Sequence, residues 1–213
     1  MIYPVKSPFW FRLFYPHRVW HIPGNEKTIY LTFDDGPDPE VTGFVLDELD
    51  KFNAKASFFC IGRNVEQHPE MYRQLLSRGH AVGNHTYDHC NGWKTEKDTY
   101  IASVQQAGQL IESPLFRPPY GRLKSGQAKA LVNHPFLYQL VMWSVLSGDF
   151  DISISPEKCC ENVISNTGAG DIVVFHDSRK AFARLQYALP RVLEHFSAAG
   201  YRFEKLGVKK IKK

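Results

Sequence analysis

From Thr28 onward, short runs of β-branched and aromatic residues alternate with longer stretches in which apolar residues recur every three or four positions. These two periods are the signatures of strands and of amphipathic helices. Strands are predicted at residues 29–33, 56–60, 80–82, 115–117, 140–143, 172–175 and 201–204. Between them, Asp38-Pro39 offers a cap and a first-turn proline for a helix whose apolar face is Val41, Phe44, Val45, Leu49 and Phe52. Further helices are predicted from Pro69 to Arg78, at 125–132 and at 156–165. Thr95-Glu96-Lys97-Asp98 resembles a capping box, opening a helix with Ile101, Val104 and Ile111 inward. A long helix carries Phe182, Leu185, Leu189, Val192 and Phe196 and is expected to kink or break at Pro190. Repeated strand-then-helix units imply an α/β fold with a parallel sheet, and no dinucleotide fingerprint is present, so closure into a barrel is favoured over an open sheet.

Residues 1–27 stand apart. Tyr3, Phe9, Trp10, Phe11, Phe14, Tyr15 and Trp20 are interleaved with Pro4, Pro8, Pro16 and Pro23. The prolines and Lys6, Arg12 and Arg18 interrupt any apolar core of a signal peptide, and no stretch of the chain approaches the ~20 apolar residues of a membrane span. The segment is expected to pack its aromatics across the domain, with contact to a partner or membrane surface as the alternative. The expected organisation is this segment, a single barrel domain over residues 28–207, and a basic tail at 208–213.

The 213 residues, 43% of them apolar, suffice for one domain with a large core. The net charge of +4 comes largely from Lys209, Lys210, Lys212 and Lys213, so the body is nearly balanced, which argues against nucleic-acid binding. Of the four cysteines, Cys159 and Cys160 are neighbours, Cys60 reads as a small core hydrophobe and Cys90 follows His89. No disulfide framework or cysteine-based zinc spacing results, a pattern that suits a reducing compartment. The protein is therefore expected to be intracellular, soluble or loosely attached to the inner membrane surface, and monomeric.

The candidate chemistry centres on His85-Thr86-Tyr87-Asp88-His89. On a helical turn, two imidazoles at i and i+4 share a face and reach one cation. They are an incomplete set, because a hydrolytic zinc usually takes three protein ligands and keeps a position open. The Asp34-Asp35 pair, between the first strand and the turn pair Gly36-Pro37, is the obvious further donor. An isolated H-x-x-x-H is more often chance, and an Asp-Asp-Gly turn more often a solvated loop. Placement changes that balance: Asp34, Asp35, the His pair, Arg117, Asp149 and His176 all fall at carboxyl ends of predicted strands, the rim where β/α-barrel sites assemble.

In chain order, Thr32-Phe33-Asp34-Asp35-Gly36-Pro37, His85 to His89, Arg117-Pro118-Pro119-Tyr120-Gly121, the Asp149 segment and Ile172-Val173-Val174-Phe175-His176 resemble the five motifs of the NodB-type polysaccharide deacetylases, carbohydrate esterase family four. The resemblance spans about Ile29 to Leu206. It implies a distorted (β/α)7 barrel and metal-dependent hydrolysis of N-acetyl or O-acetyl groups on a sugar. By this resemblance Asp35, His85 and His89 are the metal ligands and Asp34 the general base, paired with and oriented by Arg117. Tyr120 supplies a backbone N–H to the oxyanion. His176 is the general acid, oriented by Asp149, while Val174 and Phe150 line the acetyl pocket. The implied cofactor is a divalent metal, zinc first and cobalt, nickel or manganese as alternatives, and the implied partner is an N-acetylated oligo- or polysaccharide. The fourth motif departs from the usual two aspartates and tryptophan: Leu146 stands at the first acidic position and Phe150 at the aromatic one.

Two other readings compete. A metallopeptidase is disfavoured because Thr86 replaces the glutamate of H-E-x-x-H. A carbohydrate-binding protein that keeps the fold with little turnover is the alternative from another functional class. The glycan itself is not encoded in any readable motif, because loops set specificity.

Overall fold

The computed structural model describes residues 3–24, 26–133 and 135–207, so the basic tail lies outside the described residues. Nine strands make up its sheet: β1 (Arg18–Val19), β2 (Thr28–Asp34), β3 (Ser57–Cys60), β4 (Ala81–Asn84), β5 (Leu115–Phe116), β6 (Gln139–Val141), β7 (Val145–Leu146), β8 (Ile172–His176) and β9 (Arg202–Phe203). They run in the order β1-β6-β5-β4-β3-β2-β8-β7, with β9 added to β2, and every ladder is parallel. The helices are α1 (Phe11–Phe14), α2 (Val41–Lys51), α3 (Gly62–Gln67), α4 (Pro69–Ser77), α5 (Lys97–Gly108), α6 (Ser125–Val132), α7 (Pro156–Ile164) and α8 (Phe182–Ala198).

Alternation along β2 and β8 sorts residues between two layers, because successive side chains of a strand face opposite ways. Ile29, Leu31 and Phe33, with Val173 and Phe175, join the cluster formed with Val41, Val45 and Leu49 of α2 and Leu185, Leu189 and Val192 of α8. Phe33 stacks between Phe58 and Phe175, with centroids at 5.0 and 6.0 Å. The opposite face carries Thr32 and Asp34 on β2 and Val174 and His176 on β8. The register sets Thr32 beside Val174 and Asp34 beside His176.

The predicted closure takes an unusual form. β7 stands at one end of the sheet order and β6 next to β1 at the other, yet only Met142, Trp143 and Ser144 separate β6 from β7 in the chain. One extended stretch therefore pairs with β5 at its start and with β8 at its end, so the chain itself closes the ring and a single predicted strand at 140–143 becomes two. Residues 5–7 and 18–22 lie along this seam, whereas Phe9, Trp10, Phe14 and Tyr15 between them are exposed, so the segment packs only part of its aromatics on the domain. Val5 O accepts from Leu146 N–H and Ser7 N–H donates to Ser144 O, both at 2.8 Å, while β1 adds to β6 and His21 bridges Asp171.

Other local differences have identifiable causes. The expected capping box before α5 does not form, because Thr95 Oγ1 donates to Asn91 O at 2.8 Å instead. α8 runs continuously through Pro190, its buried face from Leu185 to Phe196 outweighing the hydrogen bond a proline forgoes. Asp38 does cap α2: its Oδ1 accepts from Glu40 and Val41 N–H, each at 3.0 Å. The four cysteines are unpaired, and no helix among the described residues is long and apolar enough to cross a membrane.

Candidate metal and catalytic site

β2 delivers Asp34 to the interior face, and the backbone then leaves the strand at Asp35, whose φ is 85°. That reversal brings two neighbouring carboxylates to one site by different routes. Around it, Asn64 Nδ2 donates to Asp35 O at 2.7 Å and Asp177 Oδ1 accepts Gly36 N–H at 3.0 Å. Asp177 N–H donates to Asp34 O at 3.0 Å. Glycine is required at 36, since a Cβ there would lie 2.0 Å from Asp177 Oδ2. The buried Asp177 carboxyl, also bonded by the Thr42 hydroxyl at 2.5 Å, is pushed up to about 8 by burial.

The His pair does not sit on a helical turn as its spacing suggests. It lies on a loop after β4, where Asn84 Oδ1 accepts Thr86 N–H at 2.8 Å and Thr86 and His89 take positive φ values of 65° and 56°. The loop, not helical periodicity, brings the rings together, with centroids 5.2 Å apart. His85 Nδ1 lies 2.7 Å from Arg117 O, a contact only an N–H satisfies, so Nε2 is left with its lone pair. Burial lowers His85 to about 4, keeping the ring neutral as a ligand must be.

Asp35, His85 and His89 have donor atoms within 4.8 Å of one another. Asp35 Oδ1 is 3.2 Å from His89 Nε2 and 3.7 Å from His85 Nε2. That oxygen is buried, and no donor meets it in hydrogen-bonding geometry. Burial pushes the carboxyl up, but His89, His176 and His85 outweigh it and hold Asp35 below the usual carboxylate range. An orphaned carboxylate oxygen converging with two imidazoles fits a divalent cation with affinity for nitrogen and oxygen donors.

Asp34 is gripped by Arg117, whose side chain is fully buried. Nη1 donates to Asp34 Oδ1 at 2.6 Å and to Thr32 Oγ1 at 2.8 Å, Nη2 to Met142 O at 2.9 Å and Nε to Val141 O at 3.3 Å. The guanidinium lies 4.1 Å from the Phe59 ring centroid. Burial lowers the guanidinium pKa and the Asp34 carboxylate opposes that. With its donors tied to both strands, the fork fixes where Asp34 points.

Directly across from Asp34, His176 receives both oxygens of the fully buried Asp149. Its backbone N–H donates to Oδ2 at 2.6 Å and its Nδ1–H to Oδ1 at 2.7 Å, so Nε2 is the nitrogen left for the site. Burial alone would lower the imidazole, but the Asp149 charge and hydrogen bond, with Asp35 and Asp34, raise it to about 10. The departure at 146 leaves this intact: Leu146 is a buried member of β7 beside Val174, and Asp149 alone makes both bonds. Arg184 Nε donates to Asp149 O at 2.5 Å. The Phe150 ring meets the imidazole edge-on with centroids at 5.3 Å. Val174 is buried on the same face of β8 as His176, and Tyr120, at φ 59° and 59% exposed, sets its ring 4.6 Å from that of His89.

The structure thus brings together Asp34, Asp35, His85, His89, Arg117, Asp149, Phe150 and His176 through the contacts above, with Val174 and Tyr120 beside them. Sequence reasoning missed Asp177, Asn84 and Arg184. Asp177 and Asn84 each had a local signal, Asp177 its position directly after His176 and Asn84 its position just before the His motif, where its side chain accepts from Thr86 two residues on; Arg184 had none, because its partner, Asp149 O, is distant in sequence.

The model of the polysaccharide deacetylase family matches residues 21–138 of this chain. A peptidoglycan-N-acetylglucosamine deacetylase of Bacillus cereus is 36% identical over 190 residues, 86% of this chain and 88% of that protein. A chitooligosaccharide deacetylase of Azorhizobium caulinodans is 36% identical over 160 residues, covering 72% and 75% of the two chains. Among solved structures, the Bc1960 peptidoglycan N-acetylglucosamine deacetylase in complex with an N-hydroxybenzamide superposes with a TM-score of 0.84 at 30% identity, over 94% of this chain and 95% of that one.

Proposed function

We propose, from the premise that this chain belongs to the polysaccharide deacetylase family, that it hydrolyses the acetamide of N-acetylglucosamine units in a glycan, releasing acetate and a free amine. The observation that carries this reading is the facing of two fixed pairs, Asp34 on Arg117 and His176 on Asp149, across one register step beside the Asp35, His85 and His89 cluster. That arrangement offers a base, an acid and a cation site around one reacting carbon.

Asp35, His85 and His89 would hold the cation, with zinc the first choice for one carboxylate and two imidazoles and cobalt, nickel or manganese as substitutes. When bound, a divalent cation supplies Lewis acidity, polarising a carbonyl and lowering the pKa of water toward ~7. Asp34, kept in place by Arg117, takes the proton from the attacking water. The Tyr120 backbone N–H donates to the acetyl oxygen as it gains charge. His176 carries its proton on Nε2 through neutral pH and gives it to the departing nitrogen as the C–N bond breaks. Val174 and Phe150 line the apolar space for the acetyl methyl group.

The names of the relatives favour peptidoglycan or chitin-type oligosaccharides as the glycan, since both present N-acetylglucosamine. Acetate release is measured on peptidoglycan fragments and on chitooligosaccharides, before and after chelation and with metal restored. Chelator-sensitive release from at least one is expected; none from either, with metal bound, removes the proposal.

A further inference from the structure

The N-terminal strap along the seam ends at the catalytic rim. Residues 5–7 are pinned beside β7 by the two backbone bonds given above. Lys6 Nζ adds contacts to Asp171 Oδ2 at 2.6 Å and Asn166 O at 2.7 Å. Two residues before Val5, the Tyr3 ring packs on Phe150 with centroids 5.2 Å apart. Phe150 in turn meets the His176 imidazole at 5.3 Å with the ring planes 71° apart. The Tyr3 hydroxyl is hydrogen-bonded to Asp151. The chain between Asp149 and the strap is shaped to admit it, for Gly148 has φ 80° and a Cβ there would lie 2.7 Å from the Tyr3 hydroxyl.

These contacts bear on what holds His176. Asp149 fixes Nδ1 through one hydrogen bond, which leaves the ring free to tilt about that contact. An aromatic edge against the imidazole removes much of that freedom. Phe150, a single six-membered ring, offers little surface to do so and is only half-buried. Its second ring contact is Tyr3, which comes from a part of the chain nearly 150 residues away.

We propose that Tyr3 is a positioning residue for proton delivery: its ring packs against Phe150, which holds the His176 imidazole edge-on so that Nε2 stays aimed at the leaving nitrogen. The aromatic N-terminal segment is then part of the site, supplying the ring that a phenylalanine at 150 leaves wanting. This inference rests on the reading of His176 as the proton donor, and it predicts a substrate-dependent effect, because only a poor leaving group needs the proton.

The test compares Tyr3→Ala, Tyr3→Leu and Tyr3→Phe in the full metal-loaded chain, with His176→Ala as benchmark. Each is assayed on an N-acetylated oligosaccharide and on an activated aryl acetate, and the His176 ring resonances are followed by NMR. Tyr3→Ala and Tyr3→Leu are expected to lower kcat on the amide about tenfold, leave the ester within about twofold, and shift and broaden the His176 ring signals. Leucine keeps the apolar bulk, which covers the case in which alanine frees the strap. Tyr3→Phe, which keeps the ring and drops the hydroxyl, should match the parent on all three measures. Equal losses on both substrates, an unchanged amide rate, or a phenylalanine variant as impaired as alanine would overturn the proposal. A parent protein inactive on the amide instead defeats the functional reading. In that event the NMR arm still decides the packing claim, and unmoved His176 signals in Tyr3→Ala refute it.

Discussion

Replacing the two adjacent aspartates one at a time should produce opposite signatures, and the structure sets the size of each. Asp34→Asn keeps the side-chain shape but removes the carboxylate bonded to Arg117, a fully buried cation with its remaining donors committed to Thr32, Val141 and Met142. Breaking a buried ion pair costs about 3–5 kcal/mol, and the lower end applies because asparagine retains an acceptor oxygen. At roughly 2–4 °C per kcal/mol for a chain of this size, the metal-free Tm should fall by about 6–12 °C. The three cation ligands are untouched, so the rise in Tm on adding metal should survive while turnover falls by about 10²–10⁴, equivalent to ~3–5 kcal/mol in the barrier. Asp35→Ala reverses the pattern. Its Oδ1 has no hydrogen bond to lose, but the attraction of His89, His176 and His85 for its charge goes with it, so the metal-free Tm should fall by less than in Asp34→Asn. With one of three donors gone, the metal-induced rise should vanish; for the parent at a hundredfold excess of metal over Kd that rise is about 2.7 kcal/mol, or roughly 5–11 °C. The assay is thermal unfolding with and without zinc, beside elemental analysis and acetate release on the same samples. If Asp34→Asn loses the metal-induced rise and Asp35→Ala keeps it, the two roles are exchanged; if both variants stay active, neither carboxylate is catalytic.

Two further outcomes test the site and its frame. His176→Ala should slow amide hydrolysis by about 10²–10⁴ and an activated ester far less, because the ester's leaving group departs without a proton; equal losses, measured as kcat on each, would take the acid role from His176. His80 is buried behind Phe58, its Nδ1 accepting Ala56 N–H at 3.2 Å and its Nε2 without a partner, and burial lowers it to about 4. A folded-state value below the ordinary ~6.5 means that the unfolded chain binds the extra proton first, so this stability is present above pH ~6.5 and is lost as pH falls toward 4, by on the order of 3 kcal/mol. Chemical denaturation at pH 7 and pH 4 should therefore show a smaller acid loss for His80→Asn than for the parent, and identical losses would refute the assignment.

Local patterns of the chain determined the alternation of strands and helices, the parallel sheet and the five clusters of polar residues at strand ends. Each depends on residues close in sequence: the 2-residue period of β2, the continuous apolar run of β8, the helical period of α2 and α8, and motifs such as Asp34-Asp35-Gly36-Pro37 that keep their identity without knowledge of the fold. What the tertiary structure alone decided was how those pieces meet. The spacing of His85 and His89 suggested a helix, yet Asn84 capturing the Thr86 N–H and two positive φ values bend a loop instead, a choice set by packing beyond the reach of periodicity. Helix capping at Thr95 lost to a competing acceptor at Asn91, and the proline break in α8 lost to burial of its apolar face. The Asp34 and His176 pairing exists only through the β2 to β8 register, and Arg184 and Tyr3 reach the site from elements whose own patterns carry no trace of it. The division follows from range: side-chain periodicity reports the solvent boundary of one element, whereas a catalytic site is built from contacts between elements, whose partners no single stretch of sequence specifies.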